Sequence, residues 1–339
     1  MSVKLALAGT GWIAKVHARV ALQQPDVELV AVINHRTDSM QSFTAEYDIR
    51  HQYTTVEELL DEGGLDGLVI CTPNYLHAPQ TIVALNAGVH VMVEKPMAMS
   101  ATEARAVLEA GNQSDAVLMV AHCWRFHKEI RWLRDQVEAG RIGCIIRTKS
   151  YGVHVNWGPA GWFVQKRLAG GGALVDMGIH AIDTTRFLLG DPEPVSVFAS
   201  IGTHYGNYDV DDTGLVTVNW ESGVTSYLES GWWQPHADGP EAGTQLYGTS
   251  GFGQVFPTFM DIPNAERSEV ERVDAGFSSE HDSHTMESLE GMYSAQMAYF
   301  VECILHGGAP KPGGLEGWTN MRIVDAAYES ACSGQVVML

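Results

Sequence analysis

A chain of 339 residues with 45% hydrophobic and 18% charged side chains can bury a large core and is too apolar to be disordered, so two domains are the natural expectation. Its formal charge of −20 repels phosphate backbones and argues against nucleic acid as a partner. No basic amphipathic stretch suits a membrane surface, and no apolar run approaches spanning length.

The amino terminus does not read as a signal peptide. One Lys precedes a short apolar run that breaks at Gly9 and Gly11. The cysteines, Cys71, Cys123, Cys144, Cys303 and Cys332, are odd in number and widely spaced, with no C-x-x-C. That usage fits a reduced, cytoplasmic setting.

Residues 3–8 form an apolar run of strand type, and Gly9-Thr10-Gly11-Trp12-Ile13-Ala14 follows at once. A helical pattern over 12–23 then places Ile13, Val16 and Val20 on one face. Strand, Gly-x-Gly-x-x-Ala turn and helix, in that order, are the dinucleotide-binding fingerprint in its required context. Gly9 permits the tight turn, Gly11 the approach of a pyrophosphate, and Ala14 close helix–strand packing. The free N–H groups at the helix start, including those of Trp12 and Ile13, face the phosphates.

A second buried strand over 29–33 completes a βαβ unit. At its end, where an acidic residue would hold the adenosine ribose, stand Asn34-His35-Arg36. Asn34 offers an uncharged hydrogen bond. Arg36 can pair with a 2′-phosphate or stack on adenine, unless the stretch is an ordinary solvated turn. With the acid missing and a base present, the reading leans to NADP over NAD.

A short helix over 55–62 and a strand over 65–71 lead to Thr72-Pro73-Asn74, a turn where doubly wound sheets bind ligands. His77 either touches the cofactor or caps the next helix, expected over 81–87. A strand over 89–93 runs into Glu94-Lys95-Pro96, where Pro96 keeps Lys95 out of helical geometry at the sheet's carboxyl edge. A helix over about 101–111 and a strand near 117–121 close a first domain spanning 1–122.

The second domain, 123–339, opens with Cys123-Trp124-Arg125-Phe126 and a helix reaching about 140. Strands are expected over 144–151, 195–201, 214–220, 225–231 and 244–247, with turns at 221–223 and 248–251. Residues 234–243 and about 261–285 read as polar surface loops. Helices are expected over about 292–306 and 315–330. His154, Trp157 and Trp162 precede the run Gly170-Gly171-Gly172 and form either a wall for a small polar ligand or plain loop packing. In the helical segment that follows, Asp176 and His180 are four apart, on one face and within mutual reach, and Asp183 extends that face. An acid beside a histidine is a sensible acid–base pair; a helix-start Asp and a core His are the bland alternative. No His/Asp/Cys set completes a ligand shell, so no metal is expected.

Gly9-Thr10-Gly11, Thr72-Pro73-Asn74, Glu94-Lys95-Pro96, Trp124-Arg125-Phe126, the 170–183 stretch and Gly248-Thr249-Ser250-Gly251 occur in this order. Together they resemble the glucose–fructose oxidoreductase / inositol dehydrogenase / rhizopine catabolism (Gfo/Idh/MocA) family over nearly the whole chain. The resemblance implies an α/β protein: an N-terminal Rossmann domain, then an α/β domain with a large, mostly antiparallel open sheet. It implies nicotinamide-dependent oxidation of a secondary alcohol of a sugar, inositol or related polyol. Lys95, Asp176 and His180 would line the catalytic site, with the substrate between the domains. Thr72, Pro73, Asn74, His77, Glu94, Pro96 and Arg125 would lie along the cofactor, and Arg125, His154 and Trp162 would face the substrate. A redox-neutral glycosidase and a non-enzymatic cofactor-binding sensor are the rival readings. The open sheet needs one face covered, which implies a homodimer or homotetramer.

Overall fold

The computed structural model describes residues 2–235, 241–277 and 286–339, and of 286–288 the backbone alone. The chain forms two compact units: Met1–Cys123 with Glu290–Met321, and Trp124–Leu289 with Arg322–Leu339.

In the first unit, β1 (Val3–Ala8), β2 (Val27–Ile33), β3 (His51–Tyr53), β4 (Gly67–Ile70), β5 (His90–Glu94) and β6 (Leu118–Ala121) build one parallel sheet in the order β3-β2-β1-β4-β5-β6. The order reverses at β1/β4, which makes the carboxyl ends of those two strands the crevice of a doubly wound sheet. β1, β4 and β6, apart from the exposed Lys4 of β1, are apolar without alternation and buried, as a sheet covered on both faces requires. The crossovers are α1 (Trp12–Leu22), α2 (Thr37–Tyr47), α3 (Val56–Glu62), α4 (His77–Asn86) and α5 (Ala101–Gln113). α4 starts at His77, four residues ahead of the expected 81, and α2 and β3 fill a stretch where no element was expected. α2 buries only Met40, Phe43, Thr44 and Tyr47, while β3 is a short edge strand whose register comes from β2.

The second unit begins with α6 (Lys128–Glu138), β7 (Ile145–Val155) and α7 (Lys166–Ala169), and a π-turn over Leu174–Gly178 leads into α8 (Ile179–Leu189). Then come β8 (Pro194–Gly202), β9 (Thr213–Trp220), β10 (Thr225–Gln234), β11 (Thr244–Gly248), β12 (Phe252–Gln254), β13 (Phe259–Pro263) and β14 (Val270–Asp274). α9 (Met286–His306) and α10 (Gly314–Ser333) each span the two units, and β15 (Val337–Met338) ends the chain. The sheet order is β14-β13-β12-β11-β7-β10-β9-β8-β15, antiparallel except for the β7–β10 pair.

β14 lies inside the stretch 261–285 that was expected to be loop, and β13 runs into its start. β14 exposes most of its side chains and is held by its ladder to β13 and by the Asp261–Arg272 pair, so no apolar alternation announces it. Residues 236–240 and 278–285 of the expected loops lie outside the described residues. On β8, β9 and β10 one face is buried, while Phe198, Leu215 and Tyr227 stand exposed on the other.

Candidate active site

Gly9 takes φ +110°, and a Cβ there would sit 2.5 Å from the Cys71 carbonyl oxygen, so no other residue fits between β1 and the end of β4. A Cβ at Gly11 would meet nothing within 4 Å, which leaves the turn open on that side. α1 begins with extended backbone at Gly11, no side-chain cap and no acid in its first turn. The N–H groups around Trp12 and Ile13 are thus presented without a competing carboxylate, and Trp12 is exposed.

At the end of β2, Asn34 donates through its side-chain amide to the Thr10 hydroxyl, which also bonds the Ser39 hydroxyl at 2.7 Å. The Asn34 side-chain Oδ1 accepts from the Arg36 backbone N–H at 3.1 Å. His35 and Arg36 are exposed just ahead of α2, whose start carries no side-chain cap. Sequence reading missed Ser39, because α2 was not expected.

After β4, the Thr72 hydroxyl donates to Gln80. Pro73 precedes a short 3-10 turn, and Asn74 is buried within it. His77 is fully buried, with Nδ1 2.7 Å from the Pro96 carbonyl oxygen and Nε2 2.7 Å from that of Thr72. It clasps the turn after β4 to the turn after β5. Burial pushes the His77 ring below the usual histidine range and outweighs the two carbonyl acceptors, which favour the charged form. Its role is that clasp: both ring nitrogens face backbone, which answers the choice between cofactor contact and helix cap.

Glu94 is buried, and its Oε1 lies 2.7 Å from Nε2 of the fully buried His17. Its Oε2 accepts the Lys95 N–H at 3.1 Å. The Glu94 carboxylate therefore shapes the backbone that carries Lys95. Lys95 is half-buried, and the Lys95–Pro96 peptide is cis.

In the second unit, Asp176 lies in the π-turn and His180 on the first turn of α8. A π-turn widens the helix by running i→i+5, so the regular i, i+4 stacking expected of the pair does not apply there. Each side chain has a defined contact. Asp176 Oδ2 accepts the Trp232 indole N–H at 3.1 Å. His180 is buried, with Nε2 3.8 Å from Glu241 Oε1 and its ring edge-on to Trp124. Glu241 also accepts the Trp124 indole N–H at 3.2 Å.

The start of this helical segment is capped from afar. Asp211 Oδ1 accepts Gly172 N–H at 2.8 Å and the Tyr328 hydroxyl at 2.7 Å; its Oδ2 accepts Leu174 N–H at 2.8 Å, and its backbone carbonyl takes Ala173 N–H at 2.8 Å. A Cβ at Gly172 would overlap the Asp211 backbone, which explains that glycine. Burial beside Asp211 raises the Tyr328 hydroxyl well above the usual tyrosine range, so it stays a donor. Next to it, Asp212 accepts from the N–H groups of His204, Tyr205 and Gly206 and from the Tyr208 hydroxyl.

Arg125 requires a correction. Its guanidinium is buried and makes four hydrogen bonds, two to Asp183 and two to Asp191, at 2.8–3.1 Å, with the Phe187 ring 5.3 Å from it. Four of its five N–H donors are thereby committed, so it is a strut of the unit and not a cofactor or substrate ligand. Asp183 is spent on the same strut. His154 packs edge-on against Trp157 at 4.3 Å, and Trp162 stacks on Phe163 at 3.8 Å.

Residues 3–122 match the family model described as "Oxidoreductase family, NAD-binding Rossmann fold", and residues 130–252 match that of the GFO/IDH/MocA C-terminal domain. D-glucoside 3-dehydrogenase of Escherichia coli (strain K12) is 34% identical over 245 residues, covering 67% of this chain and 70% of the relative. The chain belongs to the Gfo/Idh/MocA family of oxidoreductases. A further relative of this oxidoreductase is 1,5-anhydro-D-fructose reductase of Ensifer adhaerens, 28% identical over 97% of this chain and 96% of the relative. Levoglucosan dehydrogenase in complex with NADH shares the fold at a TM-score of 0.86 and 23% identity, covering 100% of this chain and 99% of that one.

The residues present fit a dinucleotide: an uncapped helix start, open space at Gly11, and a Gly9 position that only glycine fills. Among the described residues no group of three or more His, Cys, Asp or Glu could hold a metal ion, and no helix is long and apolar enough to cross a membrane. Glu241, Asp211, Tyr328 and Trp232 escaped sequence reading. Two signals were available: the acid pair Asp211-Asp212 entering a strand, and Trp232-Trp233 interrupting the alternation of β10.

Proposed function

We propose that this oxidoreductase moves hydride between a secondary alcohol of a sugar, inositol or related polyol and a nicotinamide dinucleotide. The relatives named for a glucoside, an anhydrofructose and, in Rhizobium meliloti, an inositol 2-dehydrogenase support that substrate class. The observation that carries the mechanism is the setting of His180, a buried imidazole with the Glu241 carboxylate 3.8 Å from Nε2. A carboxylate there stabilises the imidazolium formed when the ring takes a hydroxyl proton. Lys95 stabilises the alkoxide electrostatically, and Asp176 holds substrate hydroxyls. The bound nicotinamide supplies the hydride acceptor.

NADP is preferred over NAD in this reading. Arg36 is exposed beside an uncapped helix start, and the hydroxyls of Thr10 and Ser39 with the Asn34 amide take the place of a ribose-binding acid. Residues 1–122 carry the cofactor, and 123–339 carry substrate and subunit contacts. A homodimer or homotetramer forms through the open face of β8, β9 and β10, where Phe198, Leu215 and Tyr227 are exposed. All five cysteines are free thiols, in keeping with the cytoplasm.

The test is a panel of sugars and inositols incubated with NAD or NADP while absorbance of the reduced cofactor is followed. Reduction driven by one or more polyols, faster with NADP, is the expected result. Glycoside cleavage with no net cofactor reduction across the panel would overturn the dehydrogenase reading.

A further inference from the structure

We infer that Trp232 is a positioning residue for Asp176: its buried indole N–H fixes one carboxylate oxygen and with it the direction in which the carboxylate faces. The inference rests on the substrate-binding role proposed for Asp176.

The backbone of β10 is bent to place this indole. Pairing of β10 with β7 runs residue for residue from Thr225↔Arg147 to Gly231↔Val153, and the next pair is Gln234↔Val155. Two residues, Trp232 and Trp233, thus stand opposite the single residue His154, which is a β-bulge. Trp233 takes φ +59°, an uncommon and costly conformation for a bulky side chain. Such strain persists only where the surroundings over-determine it. Here the Trp233 N–H donates to the Trp157 carbonyl at 2.8 Å, the Trp232 N–H to the Asp212 carbonyl at 2.9 Å, and the Asn156 N–H to the Gln234 carbonyl at 2.8 Å. Gly158 lacks the side chain that would overlap the Trp233 indole.

With the bulge in place, Trp232 is fully buried among Ala173, Met177 and Val210, with the Tyr208 ring edge-on at 6.2 Å. Its one polar atom reaches Asp176 Oδ2 at 3.1 Å. Packing alone does not call for this choice, because an apolar side chain fills an apolar pocket without leaving an N–H to be satisfied. An indole N–H cannot accept a hydrogen bond and does not titrate. A hydroxyl there can turn between donating and accepting, whereas the indole can only donate, in the one direction its packed ring sets. The titratable groups around the turn are His180 on α8, Asp211 at the start of the segment with Tyr328 against it, and Asp212 and Tyr208 on the loop under Trp232.

The experiment uses the full chain with 13C-labelled aspartate carboxyls, and the Asp176 resonance is assigned by its loss in Asp176→Asn. Two variants are compared: Trp232→Phe, and replacement of Trp232 by benzothienylalanine, which keeps the bicyclic shape and lacks the N–H. The Asp176 carboxyl resonance is expected to shift in both, because one oxygen loses its fixed donor. An unchanged resonance in the folded benzothienylalanine protein would overturn the inference, whatever becomes of Trp232→Phe. Turnover is then measured on D-glucose and myo-inositol in a double-mutant cycle with Asp176→Asn. Loss of the N–H should add nothing in the Asp176→Asn background, and additive losses would make Trp232 merely structural. Wild-type turnover in Asp176→Asn alone would sink the role proposed for Asp176 and leave the resonance result intact.

Discussion

Asp211→Asn tests whether the segment carrying Asp176 and His180 is held by its remote cap. The carboxylate accepts three donors at 2.7–2.8 Å: two backbone N–H groups and the Tyr328 hydroxyl. An amide keeps the size of the side chain but replaces one acceptor oxygen with NH2. With the oxygen toward Gly172 and Tyr328, the NH2 opposes Leu174 N–H; with the amide flipped, it opposes both of the former. At least one buried donor therefore loses its partner, which costs about 1–3 kcal/mol, and the remaining bonds lose their charge assistance. Water relieves part of this, because a cavity of about 270 Å³ lined by Gly171, Asp211 and Tyr328 adjoins the site. The expected loss is therefore about 1–3 kcal/mol of unfolding free energy, read as a lower midpoint in urea at unchanged slope. Turnover should fall with it, while affinity for the dinucleotide, measured by fluorescence titration, stays within about twofold. A loss below about 0.5 kcal/mol, the scale of a neutral surface change, would refute the capping argument.

Lys95→Ala and His180→Ala should each lower turnover by about a hundredfold or more, the scale of a lost electrostatic or acid–base group, and near-normal turnover in the His180 variant would remove it as the base. Arg36→Ala should weaken NADP selectively; equal weakening of NAD and NADP in direct binding would favour adenine stacking over 2′-phosphate recognition. His77 has its folded-state value lowered by burial, so the folded protein binds fewer protons than the unfolded chain. Its stability contribution is complete above the unfolded value near 6.5 and is lost as pH falls below it, so His77→Gln should flatten the drop in unfolding free energy on the acid side of 6.5. Phe198→Asp combined with Tyr227→Asp should shift the assembly toward monomer by light scattering at micromolar concentration, and an unchanged mass would place the subunit contact elsewhere.

The first unit was largely legible because its signals are local. β1, the Gly9–Gly11 turn and α1 are contiguous, and each residue type answers to a backbone need within a few positions. What failed there was α2 and β3, a sparse apolar face and an exposed edge strand whose pairing is set by β2. In the second unit, alternation revealed β9 because one face is buried and the other open. It could not reveal β14, whose exposed side chains follow the ladder of a neighbour rather than a pattern of their own. Arg125 was misread for a related reason. A lone Arg in a motif looks like a ligand for an anion, and only the fold brings Asp183 and Asp191 onto its guanidinium, 58 and 66 residues away.

The same distance separates the motif residues from what orients them. Asp176 depends on Trp232, 56 residues on, and the start of its segment depends on Asp211, 37 to 39 residues from the N–H groups it caps. Lys95 follows a carboxylate whose partner, His17, lies 77 residues before it. His17 Nδ1 is buried with no hydrogen-bond partner, and Nε2 lies 2.7 Å from Glu94 Oε1. That leaves Glu94 Oε2 for the Lys95 backbone, so one buried ring helps fix the entry to the turn. Each proposed catalytic side chain is thus a short motif held by a partner that no motif contains. Substitutions at the partner and at the motif residue should therefore couple rather than add, because they remove the same arrangement from opposite ends.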